Sequence, residues 1–281
     1  MTSFSRIWKT RLQKFLDYPP ALIPFIKKRF YYDFVADQYL PAYQDFKYLD
    51  YQETIAAAIE GNRSLVRFGD ELFDMLQGIG LYFGDWRQKY SPSLARRLKE
   101  VISSTDPRLL VCFNPELILK TKEEFRAAGI PEQHQFWTNS KVFLKDYYHP
   151  EVVYGSALCF HPRYNPNIDY AKLASFFARK HVIIVTSGTN RFRGIKLGKT
   201  TRFVEAPKSD AWQQYAVIHQ SVQEEFSRID SQEEALVLVS MGSAAKVLVY
   251  DLMKEGYVAW DTGQFFDLAA TEIRALSKGN V

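Results

Sequence analysis

Short, nearly continuous apolar runs recur along the chain, and each ends in small or polar residues. Residues 64–68 (Ser-Leu-Val-Arg-Phe) run into Gly69-Asp70-Glu71, and 109–113 run into Asn114-Pro115. Residues 182–185 run into Thr186-Ser187-Gly188, 203–204 into Ala206-Pro207, 236–239 into Ser240-Met241-Gly242-Ser243, and 257–260 into Asp261. Runs this short and this apolar are the pattern of strands buried on both faces, as in parallel sheets. Helical periodicity fills the intervals. It predicts a helical lead-in over 33–60 closed by Gly61-Asn62, and a helical turn from Leu72 to Leu76. A helix also starts at Ser91-Pro92 and buries Leu94, Leu98 and Val101, and another spans 244–254 and is closed by Gly256. The alternation implies an α/β fold, a Rossmann-like, mostly parallel sheet with helices on both faces. Ligands of such sheets bind at the carboxyl ends of the strands, so the loops just named are where chemistry is expected.

The first thirty residues differ from the rest. They carry seven Lys and Arg against one acid, Asp17, more than the whole-chain surplus of +4, so the remainder is slightly acidic. Phe4, Ile7, Trp8, Leu12, Phe15 and Leu16 recur at helical spacing opposite the basic residues, and Pro19-Pro20 ends that helix. Two readings stay open: a helix packed on its own domain with a solvated basic face, or contact of residues 4–16 with an anionic membrane surface. The expected organisation is a basic amphipathic helical segment over 1–60 followed by one enlarged domain over 61–281.

Composition narrows the classes. Apolar residues make up 47% of the chain and aromatics 15%, which excludes intrinsic disorder. No apolar run approaches the roughly 20 residues that span a bilayer, and no secretory signal is evident. Cys112 and Cys159 lie in apolar runs, which suits reduced, buried thiols in a cytoplasmic protein. The modest charge gives no reason to expect nucleic acid as a partner.

Three constellations carry candidate chemistry. Asp70 and Glu71 place adjacent carboxylates after a strand, where they present hard oxygens to Mg²⁺ or Mn²⁺ or simply favour the start of a helix; Arg67 pairs with acid or phosphate, and Gly69 opens the turn. The second is the turn through Gly242 and Ser243 into a helix, which offers a phosphate cradle, with Asp261 ending the next strand where a dinucleotide fold holds a ribose; small residues also serve plain helix–sheet packing. The third is the stretch from Ser187 to Gly194, followed by Lys196 and Lys199. Its Arg191 and Arg193 suit a diphosphate clamp or a basic surface loop, and Asp210 follows at the start of the next helix. A complete G-x-G-x-x-G, a G-x-S-x-G elbow and a Walker loop are all missing from the sequence, which counts against a Rossmann-type dehydrogenase or methyltransferase and against hydrolase and P-loop readings.

The order of these segments resembles the GT-D-fold bacterial glycosyltransferases over roughly residues 62–268. Ser64 to Asp70 is similar to the family's S-[IL]-x-R-F-G-D-G-E strand and metal loop, and Tyr154-Gly155-Ser156-Ala157 to its Y-G-N-A segment. Pro207 to Tyr215 is similar to P-x-x-N-A-[FW]-x-x-Y, and Leu238 to Gly263 to the family's Gly, Ala, Leu, Asp-Leu, Gly-Tyr and Asp-x-Gly ending. The second acid stands one position early here, as Glu71, and no histidine follows Gly263. The resemblance implies transfer of a hexose from a nucleotide-diphospho-sugar, a UDP-sugar by preference, to a glycan or glycoprotein acceptor during surface glycan assembly. It further implies Mn²⁺ or Mg²⁺ on Asp70 and Glu71, and donor contacts from Arg67, Gly69, Arg191, Arg193, Asp210, Gly242 and Ser243. Asp267 or Asp261 would be the general base. The expected location is cytoplasmic, peripheral at the inner membrane face. The displaced acid and missing histidine keep a second expectation alive, a non-catalytic nucleotide-sugar-binding partner of an active transferase.

Overall fold

The computed structural model describes residues 12–83, 86–192 and 194–276. Ten strands are present among them: β1 (Lys47–Tyr48), β2 (Ser64–Arg67), β3 (Leu81–Phe83), β4 (Trp86–Gln88), β5 (Leu109–Phe113), β6 (Val153–Ser156), β7 (His181–Thr186), β8 (Thr200–Glu205), β9 (Ala235–Ser240) and β10 (Val258–Asp261). Eight form one sheet in the order β1-β6-β5-β2-β10-β9-β7-β8, and β3 and β4 form a separate antiparallel hairpin. The described pairings within the large sheet are parallel. The main helices are α1 (Tyr51–Glu60), α2 (Asp70–Leu76), α3 (Pro92–Ile102), α4 (His134–Phe143), α5 (Tyr170–Phe177), α6 (Tyr215–Phe226) and α7 (Ala244–Lys254). The α/β class and the parallel sheet inferred from the apolar runs are what the chain forms.

Local chemistry accounts for the boundaries. Ser91 caps α3 by accepting from the Leu94 amide at 3.4 Å, with Pro92 in the first turn. Asp50 and Glu53 form a reciprocal capping box on α1. The expected helical lead-in over 33–60 is a correction. Pro41 lies in a 3-10 stretch spanning Ala36–Tyr43, strand β1 intervenes, and only α1 completes the helix. A proline cannot donate in an α-helical ladder, so the periodic pattern breaks there. Past α1 the left-handed residue is Asn62, with φ of 46°, while Gly61 stays right-handed.

Contacts divide the chain into two compact units. One holds residues 1–48, 68–105 and 113–154, and the other 49–67, 106–112 and 155–281. The first is built around aromatic rings: Phe46 stacks on Tyr154 with centroids 5.1 Å apart, and Phe113 meets Phe68, Phe73 and Tyr154. The second buries Leu65, Leu110, Ile184, Leu236, Leu238 and Trp260 in one apolar cluster. Both cysteines are fully buried there and free; burial pushes the Cys159 thiol up to about 12, as expected of inert structural thiols.

Candidate functional site

Strands β2 and β10 are neighbours at the centre of the sheet, and their carboxyl ends bring together residues nearly 200 positions apart. Asp261 ends β10 with its side chain 1% exposed. Lys246 Nζ stands 3.0 Å from its Oδ2, the Gly263 amide donates to Oδ1 at 3.1 Å, and the Arg67 amide donates to Oδ2 at 3.4 Å. The Arg67 guanidinium donates through Nη1 to the Ala157 carbonyl at 2.9 Å, and its Nη2 lies 4.0 Å from Asp261 Oδ1. Its Nε is buried without a partner. Gly263, with φ of +52°, is required at this point, because a Cβ would come within 1.7 Å of Arg67 Nη2. Ala157, the last residue of the Tyr-Gly-Ser-Ala segment, supplies the carbonyl that fixes Arg67.

Gly242 turns the chain from β9 into α7 with φ of +66°, and its carbonyl accepts from Lys246 Nζ at 3.3 Å. Ser243 precedes the first turn of α7; its side chain makes no cap hydrogen bond, and its hydroxyl is buried without a partner. Thr186, at the end of β7 and paired in register with Ser240, also has a buried, unpartnered hydroxyl. Lys246 is the residue that sequence reasoning missed. Its signal was a lone cation in the apolar run Ala-Ala-Lys-Val-Leu-Val of α7.

The acid pair lies at the start of α2. Gly69 is the N-cap, with Asp70 and Glu71 in the first turn. Burial raises the Asp70 carboxyl well above the ordinary carboxylate range, and the Glu71 charge and a hydrogen bond between the two side chains add to the rise. Asp74, one turn on, is held by Lys28 Nζ at 2.7 Å and Asn139 Nδ2 at 2.8 Å. Two adjacent carboxyl groups offer hard oxygen donors that suit a divalent cation taking its other ligands from water and phosphate. Among the described residues no group of three or more His, Cys, Asp or Glu side chains is placed to hold a metal by itself.

The remaining candidates are dispersed. Asp267 is exposed on the short helix Phe265–Leu268, and Asp210 adopts a left-handed conformation (φ 54°) before the 3-10 turn Ala211–Gln214. Arg191 belongs to the 3-10 turn Thr189–Phe192, and Arg193 lies outside the described residues, as do residues 4–11 of the N-terminal stripe. The phosphate-clamp expectation for this loop needs a correction in its backbone. The Gly188 and Thr189 amides donate to the Glu205 carboxylate at 2.6 and 2.9 Å, so an internal anion already occupies them. Ser187, Gly188, Glu205 and Lys208 line an open cleft of about 520 Å³ beside it.

A family model for the glycosyltransferase GT-D fold matches residues 65–267. The chain is 28% identical over 241 residues to the probable glycosyl transferase Gly of Streptococcus gordonii, covering 79% of this chain and 32% of that protein. It is 26% identical over 221 residues to the glycosyltransferase GlyD of Streptococcus pneumoniae serotype 4, covering 75% and 26%. It therefore spans about a third or less of those relatives' length. Among solved structures, a glycosyltransferase from Streptococcus sanguinis is similar at a TM-score of 0.63 and 26% identity, over 83% of this chain and 85% of that one. A domain described as having a distinct glycosyltransferase fold is similar at a TM-score of 0.67 and 23% identity, over 88% and 86%. The family match takes in β2, the acid pair, the turn into α7 and the end of β10, and by it this chain belongs to the GT-D-fold glycosyltransferases.

Proposed function

We propose that the chain transfers a hexose from a UDP-sugar to a glycan or glycoprotein acceptor. The observation that carries this reading is the Asp70–Glu71 pair, two adjacent half-buried carboxyl groups at the start of α2, inside the segment that matches the family. Asp70 and Glu71 would hold Mn²⁺ or Mg²⁺, which when bound offsets the charge of the donor diphosphate. The Gly242–Ser243 turn offers the donor phosphates the amino end of α7 and an unpaired hydroxyl. Arg67, fixed between Asp261 and the Ala157 carbonyl, presents a cation whose Nε is unsatisfied. Arg191 and Arg193 add positive charge for the departing nucleotide, and Gly69 and Asp210 complete the donor contacts.

Asp261 is engaged by Lys246 and two backbone amides, so its part is to orient Arg67 and Lys246. Asp267 is the exposed carboxylate of the same strand-end loop and takes the part of base. It accepts the proton of the acceptor hydroxyl as that oxygen bonds to the anomeric carbon and the bond to the leaving phosphate oxygen breaks. Direct attack of this kind inverts the anomeric centre. We place the reaction in the cytoplasm, where nucleotide sugars are the available donors.

Incubation of the purified chain with a panel of nucleotide sugars, Mn²⁺ and an acceptor glycan, followed by assay of free nucleotide, tests the reading. Release of UDP that EDTA abolishes, and that Asp70→Asn lowers by roughly a hundredfold or more, is the expected result. EDTA-sensitive UDP binding without release would instead identify a non-catalytic nucleotide-sugar-binding partner. Silence in both assays overturns the donor assignment.

A further inference from the structure

Residues 22–35 are mostly exposed, with Lys28 the one buried residue among them. This stretch is helical throughout: α-helical over Leu22–Ile26, π-helical over Lys27–Tyr32 and α-helical again over Asp33–Val35. Its inner face is fixed within its own unit, where Lys28 reaches Asp74 and the Tyr32 ring meets Phe143 at 5.5 Å. Its outer face carries Leu22, Ile23, Ile26, Phe30 and Phe34, with Phe30 65% and Phe34 78% exposed. Leu22, Ile26, Phe30 and Phe34 are four residues apart. In a straight α-helix each such step drifts about 40° around the axis, and three would carry the last residue off the face of the first. The wider π turn between them holds more residues per turn and takes that drift back, so the four side chains stay in one line.

We infer that this stripe docks the protein on an anionic lipid bilayer, a membrane contact distinct from the 4–16 stripe suggested by periodicity. Charge complementarity chooses the occupant. The stretch presents Lys27 and Arg29 to solvent, while its third cation, Lys28, is paired with Asp74 and its one acid, Asp33, with Lys122. Exposed aromatic and aliphatic side chains beside exposed cations are the composition of a helix lying in the headgroup layer, its apolar face sunk roughly 5–10 Å. Lys27 and Arg29 are exposed along the same segment, where each cation near an anionic surface adds to the attraction. The contact needs no sugar donor and stands apart from the proposed reaction.

The test is co-sedimentation of the full chain with phosphatidylglycerol-containing vesicles and with phosphatidylcholine vesicles. The expected result is pelleting with the anionic vesicles and much less with the neutral ones. Ile26→Ser/Phe30→Ser/Phe34→Ser should weaken binding to anionic vesicles roughly tenfold or more while the urea midpoint moves little, because the three side chains are largely exposed and Phe34 gives up only its contact with the Lys122 ammonium. Lys27→Glu, which touches no packed side, should weaken it several-fold. Failure of the wild-type chain to pellet with anionic vesicles overturns the inference, and so does triple-variant binding equal to wild type. If light scattering shows a self-associated species that the triple variant abolishes, and vesicles bind neither protein, a second copy covers the face and the lipid assignment is wrong.

Discussion

Lys246 Nζ and Asp261 Oδ2 stand 3.0 Å apart with both side chains almost wholly out of water. A buried ion pair contributes little against an apolar pair of the same shape, but removing one partner leaves an uncompensated charge in the interior. Lys246→Met should therefore lower the unfolding free energy by about 3 kcal/mol, read from urea melts. A loss below about 1 kcal/mol would mean that Arg67 and the two backbone amides suffice to hold Asp261.

Gly263 and Arg67 should be coupled. Gly263→Ala puts an L residue at φ of +52° and drives a methyl group into the guanidinium that the Ala157 carbonyl holds. We expect a cost of about 2 kcal/mol in the wild-type background. In an Arg67→Ala background the steric part vanishes and about 1 kcal/mol of backbone strain remains. A double-mutant cycle with no coupling energy would disprove the contact.

The Ser243 hydroxyl separates stability from binding. It is buried and has no partner, so Ser243→Ala should leave stability within about 1 kcal/mol of wild type. If the hydroxyl donates to a donor phosphate, the same change weakens nucleotide-sugar affinity roughly tenfold, measurable by calorimetry. Equal affinities would remove Ser243 from the donor site.

Acid should loosen the first unit through Asp33 and Asp37. Burial alone would raise both carboxyls. For Asp33, hydrogen bonds from Lys122 and His134 outweigh it; for Asp37, those from the Lys141 ammonium and the Lys122 amide do. Both groups therefore titrate below the ordinary aspartate value in the folded state. A depressed carboxyl contributes stability above its unfolded pKa and loses it as pH falls through the folded one. Urea midpoints followed downward from pH 7 should thus fall below about pH 4, and Asp37→Asn should flatten part of that fall. An Asp37→Asn protein with an unchanged acid profile would refute the assignment.

Legibility followed physics. β2, β5, β7, β9 and β10 were readable because strands buried on both faces are unbroken apolar runs, as Leu109–Phe113 shows. β1 and β6 were not, since Lys47-Tyr48 and Val153–Ser156 mix exposed and polar positions and take their identity from partners elsewhere in the chain. Asp70, Glu71 and the Gly242 turn could be named as candidates from local chemistry and the family-like spacing. The Glu205 carboxylate on the Gly188 amide could not, because no local rule joins residues on two different strand-end loops. Lys246 was passed over as a lone cation in an apolar helix, and its partner became evident only when the helix was seen to lead from β9 back to β10 beside it.

The placing of β10 beside β2 also has a consequence in time. β2 is Ser64–Arg67, and its neighbour β10, Val258–Asp261, is synthesised long after it. Pairing of Trp260 with Leu65 cannot occur on a growing polypeptide until everything between them has left the ribosome. Until then the edges of β2 and β9 that β10 will cover stay open to wrong partners. Arg67 acquires its carboxylate only with β10, so a product of translation that stops short of Asp261 carries no assembled centre.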